Sequence, residues 1–203
     1  MNRIVKASLF ILLSGMATHA DSPPFKLIHS DQSPKGDILI QEFQRQEKDG
    51  SHTNQIRLAK SSDPEHGQLL FEHHRGASAV MSADENCIAI NDYVGSNIAD
   101  VVIFQRVNEL EYKESISEET IRKKTLAALS HSLGRTEEIP FDHLYVECLG
   151  WAADSTAVLL RLHGHDSGVS ALDDWFCVFE LKNQTILFDL AAVNRHSFVE
   201  LHN

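Results

Sequence analysis

One short pattern occurs twice in this chain and restricts its fold more than any other feature. The first copy leads from Met81 through Ser82-Ala83-Asp84-Glu85 into Cys87-Ile88-Ala89-Ile90. The second leads from Trp151 through Ala152-Ala153-Asp154-Ser155 into Ala157-Val158-Leu159-Leu160. Each is a strand end, a small-small-Asp turn and an apolar run. After a loop, each continues into another apolar strand, at 101–104 and 175–179. Self-similarity of this kind marks repeated supersecondary units that bury their apolar faces against one another. The pattern predicts successive antiparallel sheets and a mainly β chain.

Turn chemistry divides the rest of the chain. Residues 21–36 are polar, carry three prolines and read as a lead-in segment, followed by a single β domain over 37–203. In the first unit, strands are predicted at 37–45, 54–60 and 69–72, with a hairpin turn at Lys48-Asp49-Gly50-Ser51 and a loop at 61–67. This unit shows three strands, and its inner strand is weak or lost in the lead-in. The second unit has strands at 77–81, 87–91 and 101–105, with an edge strand at 110–113. The third has 145–150, 157–162, 176–181 and 186–190. One helix is expected between them, at about 117–133. Ser115 and Glu118 have the spacing of a capping box, Ile121, Thr125 and Leu129 share a face, and Gly134 is a natural stop.

These units resemble the blades of the WD/PD-type β-propeller repeat family, with TolB-like blades of the kind found in bacterial periplasmic proteins. In that family the turn between the first two strands usually reads Ser-Pro-Asp-Gly. Here Asp84 and Asp154 are kept, while Pro and Gly are missing from both copies. Asp closes such a turn by bonding its own backbone, so both are turn residues first. Propellers typically have about four to eight blades, and about three units are found. The resemblance therefore implies a partial β-propeller with one inserted helix, and two copies closing a ring as a homodimer is one way to cover its open ends.

The first residues read as an address. Arg3 and Lys6 precede an apolar run over 7–17, and Thr18-His19-Ala20 offers small residues for cleavage. That is the form of a secretory signal peptide over 1–20, with the chain secreted or periplasmic after cleavage near Ala20. The run is shorter than the roughly 20 residues a transmembrane helix needs, so no membrane anchor is expected. Without Arg3 and Lys6 the formal charge moves from −11 to −13. Such a chain repels phosphate backbones, which argues against nucleic acid and leaves a protein or peptide as the expected partner. Three cysteines in an exported chain is an odd number. Cys148 and Cys177 fall on next-but-one strands, too far apart for a disulfide, and all three are expected as buried thiols.

Chemistry concentrates in the loops after each second strand, where rigid scaffolds usually carry function. Asn91, Asp92, Ser96 and Asn97 in the second unit, with Asp173 and Asp174 in the third, are the binding candidates. His163, His165 and Asp166 have ligand character, since residues two apart on an extended segment point the same way. They would be the start of a divalent-metal site, although a working zinc centre needs at least three protein ligands. No nucleophile elbow, zinc-protease helix or phosphate loop is present. Trp151 and Trp175 read as packing residues. The first reading is an exported, non-catalytic binding module without cofactor. The alternative is a small secreted metal-dependent hydrolase built on His163, His165 and Asp166.

Overall fold

The computed structural model describes residues 23–137, 141–165 and 171–189. The expected signal peptide and Asp166 lie outside them. The chain forms three four-stranded antiparallel meanders in succession. The first contains β1 (Lys26–Gln32), β2 (Ile38–Gln46), β3 (His52–Lys60) and β4 (Asp63–His73). The second contains β5 (Gly76–Met81), β6 (Cys87–Tyr93), β7 (Ile98–Arg106) and β8 (Tyr112–Ile116). The third contains β9 (His143–Trp151), β10 (Ala157–His165), β11 (Ala171–Glu180) and β12 (Thr185–Leu187). A short parallel bridge, Ile98 to Leu144 and Ala99 to Tyr145, joins the last two. The architecture is mainly β, made of blade-like antiparallel sheets with one helix among the described residues.

The sheets pack face to face, and the period of two assigns each side chain to an interface. In β6, Ile88 and Ile90 face the first unit and meet Ile38, Ile56 and Leu58. Cys87 and Ala89 face the other way, toward Leu144, Val146, Trp151 and Leu160 of the third. That is why β6 is apolar on both faces. Trp151 is 2% exposed, and its indole N–H donates to Val80 O at 2.7 Å.

The lead-in is corrected by the structure: it holds β1, the inner strand that the first unit lacked. All seven residues of β1 are exposed, so no apolar alternation announces it. The segment expected as a loop at 61–67 lies mostly within β4, whose pairing with β3 shifts register twice.

The repeat is threefold at the turns. Ser33-Pro34-Lys35-Gly36 joins β1 to β2 as Ser82-Ala83-Asp84-Glu85 joins β5 to β6 and Ala152-Ala153-Asp154-Ser155 joins β9 to β10. Ser33, Ser82 and Ala152 each donate a backbone N–H to the first residue of the next strand, at 2.8, 2.9 and 2.9 Å. The fourth residue is left-handed in all three, with φ of 83° at Gly36, 60° at Glu85 and 59° at Ser155. Glycine adopts this conformation freely and other residues at a cost. The side chains at 85 and 155 have a reason to accept it. Lys35 N donates to Glu85 Oε1 at 3.0 Å, and Asp84 N donates to Ser155 Oγ at 3.2 Å. The third residue of one turn is thus held by the fourth of the next. Asp84 Oδ1 accepts from Asn86 N, and Asp154 Oδ1 from Thr156 N, the turn-closing role read from sequence.

The helix α1 (Glu118–Ser132) packs against β7 and β12, with Ile121, Leu126 and Leu129 in the core between the second and third units. Its cap corrects the sequence reading. Ser117 is the N-cap, accepting from Thr120 N, while Ser115 lies in β8 and donates to Ile103 O. Gly134 N bonds His131 O and Arg135 N bonds Ser130 O, so Gly134 stops the helix as expected. The three cysteines are free and buried. Burial pushes the Cys87 thiol up to about 11 and Cys148 to about 12.

One buried group makes the first interface sensitive to acid. His73 is 3% exposed and stacks on Phe71, which packs edge-on against Phe104 of the second unit. Neither ring nitrogen has a hydrogen-bond partner, and Glu42 Oε1, at 3.8 Å, is too far for one. Burial, and then the nearby His74, hold its pKa below the ordinary 6.5. The unfolded chain therefore binds a proton more readily than the folded one. The stability that this group contributes is fully present above about pH 6.5 and is lost as pH falls below it. We expect the melting temperature to drop between pH 7.5 and 5.5, and His73→Leu to flatten that drop. An unchanged slope in the variant would assign the acid sensitivity elsewhere.

Candidate functional site

The end of the sheets away from these turns gathers the polar residues. β6 and β10 finish there, and β7, β9, β11 and α1 begin there. Two clusters occupy this rim.

The first lies on β9 and β10. Arg161 pairs with Glu147, His163 with Tyr145 and His165 with His143, so alternation puts all six on one face. Arg161 donates to Glu147 Oε2 from Nε at 3.1 Å and from Nη2 at 2.6 Å. The other oxygen, Oε1, accepts from Tyr93 OH of the second unit at 3.0 Å. His163 Nε2 stands 3.2 Å from Oε2 without the alignment of a hydrogen bond. Burial raises the pKa of Glu147, but the Arg161 and Tyr93 hydrogen bonds outweigh it and hold the carboxyl below its ordinary value. Tyr93 is pushed up, by burial first and then by the Glu147 charge.

The second cluster lies between β6, β7 and the start of α1. Asp92 and Asp100 sit directly opposite each other, an arrangement that repels when both are ionised. Arg122 Nε bonds Asp100 Oδ1 at 2.6 Å and offsets part of that repulsion. Burial, then the Asp100 charge, raises the pKa of Asp92. Burial, then Asp100 and Asp92, raises that of Glu118.

The candidates drawn from sequence divide between these clusters and the backbone. Asn91 belongs to β6 and is 5% exposed. Its Oδ1 accepts from Cys148 N at 2.7 Å and its Nδ2 donates to Cys148 O at 3.1 Å, clamping the second unit to the third. Asp92 joins the acidic cluster. Ser96 offers its carbonyl to Tyr145 OH, and Asn97 donates from Nδ2 to Asp142 O at 3.2 Å. Asp174 Oδ1 lies 3.8 Å from Arg161 Nε, at the edge of the first cluster. Asp173 is in β11. His163 and His165 share a face but not a focus. His163 stacks on Tyr145 at 4.7 Å and His165 on His143 at 4.2 Å. Among the described residues no three His, Cys, Asp or Glu are grouped to hold a metal ion.

Glu147, Arg161, Tyr93, Asp100 and Arg122 were not singled out from sequence. Glu147 had a signal: a lone carboxylate within the apolar run Tyr145-Val146-Glu147-Cys148-Leu149, where a charge needs a partner. Chemically, these groups hold one another. Both oxygens of Glu147 have donors, and Asn91 has both amide groups engaged.

No family model and no curated protein sequence matches the chain. Among solved structures, it is similar to the acylaminoacyl peptidase of Pyrococcus horikoshii, with a TM-score of 0.46 and 13% identity over 80% of this chain and 24% of that one. It is also similar to TolB from Acinetobacter baumannii, with a TM-score of 0.41 and 12% identity over 77% of this chain and 30% of that one. The chain thus spans less than a third of the length of either structure.

Proposed function

We propose that this chain is an exported binding module that acts by holding a protein or peptide partner and not by catalysis. The observation that carries this reading is the engagement of the rim. The Glu147–Arg161–Tyr93 group and the Asn91–Cys148 clamp join the second and third units, which makes the polar end a fastening of the scaffold. Rigid blade-like sheets fastened in this way suit presentation of a surface. Export rests on the signal-peptide reading of residues 1–20, and a negative chain favours a partner with basic character. No helix among the described residues is long and apolar enough to cross a membrane.

Photo-crosslinking in the producing cell tests the reading. A photoreactive side chain is placed at Ser96, at Asp174 or at Ser78, with Lys123 on the exposed side of α1 as the control. The expected result is one discrete adduct, in the exported fraction, from at least one of the three positions and not from Lys123. The double variant His163→Ala/His165→Ala should keep that adduct. Stoichiometric zinc that disappears in the double variant together with a hydrolytic activity would overturn the binding-only reading in favour of the metal-dependent one.

A further inference from the structure

Among the described residues, the strands at the outer edges of the sheets are blunted, except β5. Exposed edges invite pairing with other chains, and proteins defend them with charge, proline, bulges or shortness. β1 has a bulge between Leu27 and His29 and carries Lys26, His29 and Asp31. β4 contains Asp63, Pro64 and Glu65 with two register shifts. β12 has only three residues, and β8 has five with three of them exposed. β5 closes the large sheet on its other side with the sequence Gly-Ala-Ser-Ala-Val-Met, regular in register with β6 along its whole length. It has no charge, no proline and no bulge.

The ladder says which backbone groups that edge presents. Ser82 N donates to Cys87 O at the foot of β5–β6, and Arg106 N donates to Asn86 O at the foot of β6–β7. Bonded pairs alternate along an antiparallel ladder. The backbones of Ala89 and Asn91 therefore turn toward β5, where Val80 and Ser78 meet them. The N–H and C=O groups of Ala77 and Ala79 point away from β6, along the open side.

A groove of about 260 Å³ runs between this edge and the first unit, walled by Ile40, Ile56, Ala77 and Ala79 with Glu42 and with Asp31, whose carboxylate lies 2.8 Å from His29 Nε2 at the same wall. It is smaller than the roughly 300–1,000 Å³ of small-molecule sites and has room for an apolar side chain. Strand addition combines these elements: main-chain bonds supply affinity, and pockets for alternate side chains supply specificity.

We infer that the open edge of β5 takes up an extended basic segment of a partner protein as an added strand, with one apolar side chain in the groove and a Lys or Arg against Asp31 and Glu42. This rests on the reading of the chain as a binding module and names its partner's chemistry.

The probe is a fluorescein-labelled peptide, Thr-Lys-Thr-Val-Thr-Arg-Thr, whose Lys, Val and Arg share one face of an extended strand, with the same peptide bearing Glu at the basic positions as control, followed by anisotropy with the purified chain. The basic peptide should bind and the acidic one should not. Ala79→Pro removes an edge donor and no ladder bond, a position where proline is tolerated, and should weaken binding about tenfold or more. Val80→Pro would break the ladder itself and is not the test. Asp31→Asn with Glu42→Gln should weaken the basic peptide while keeping the chain folded. Amide hydrogen exchange on the unaltered chain makes the result independent of any variant's folding: residues 76–81 should slow on binding while 26–32 should not. Equal binding by Ala79→Pro, unchanged exchange at 76–81, protection at 26–32 instead, or no preference for the basic peptide would each overturn strand addition at β5. If a crosslinked adduct from Ser96 or Asp174 persists under any of those results, only the inference fails. If no position gives an adduct, the binding-module reading fails with it.

Discussion

Replacing Trp151 with alanine should lower stability by about 3–5 kcal/mol, the range for emptying a large aromatic site. The indole is 2% exposed and lies in the core between the second and third units. Cavity and lost transfer energy act together there, because β9 and β10 are tied into a ladder and cannot collapse freely. For a chain of this size each kcal/mol shifts the melting temperature by about 2–4 °C, so scanning calorimetry should show a fall of roughly 6–20 °C. Trp151→Phe separates the two contributions. It keeps a six-membered ring and loses the rest of the indole together with the bond to Val80 O, a carbonyl that also sits opposite Ala89 in the sheet. Its effect should be a fraction of the alanine one. Equal losses in the two variants would mean that the hydrogen bond, and not the volume, holds the junction.

Asn91→Leu should be the second largest loss, at about 2–5 kcal/mol. The shape is nearly kept, while the N–H and C=O of Cys148 lose their partners inside the protein. Each buried group left unsatisfied costs about 1–3 kcal/mol. The clamp sits where β9 and β10 slip register between Leu159 and Leu160, so the ladder itself offers Cys148 less. Urea unfolding should show a lower midpoint with an unchanged slope, since the surface exposed on unfolding is the same. A loss below about 0.5 kcal/mol, the range of an ordinary surface substitution, would mean that water or a shifted strand replaces the clamp.

Asn91 also shows how the sequence misleads about sites. Asn-Asp at a strand end followed by Gly and Ser reads as loop chemistry, and Asn91 was placed with Ser96 and Asn97 on that basis. The strand runs on to Tyr93, and the amide faces a neighbouring unit that is distant in sequence. Glu147, Arg161 and Tyr93 share this difficulty. Their bonds depend on the register of β10, which shifts between Leu162 and Gly164 on one side, and no local pattern states a register. The helix and the second and third units were legible because their apolar spacing reports one buried face at a time. The first unit was half hidden for the opposite reason. β1 buries nothing, so its alternation is silent, although Ser33-Pro34-Lys35-Gly36 carries the Pro and Gly of an ordinary turn. Its glycine is the residue that the other two turns replaced with a side chain that reaches back.

Those turns give the succession of units a direction. A unit can be followed by another because the N–H of its third turn residue finds an acceptor in the fourth residue of the next, as at Lys35–Glu85 and Asp84–Ser155. Gly36 has no side-chain acceptor to offer a preceding turn; its carbonyl accepts from Ser61 Oγ instead. Tandem duplication of the second unit would carry both halves of the link and could lengthen the chain at once. A duplicate of the first unit placed second would interrupt the series at its own glycine. Any unit placed between the first two would therefore need a side-chain acceptor at the fourth residue of its own turn.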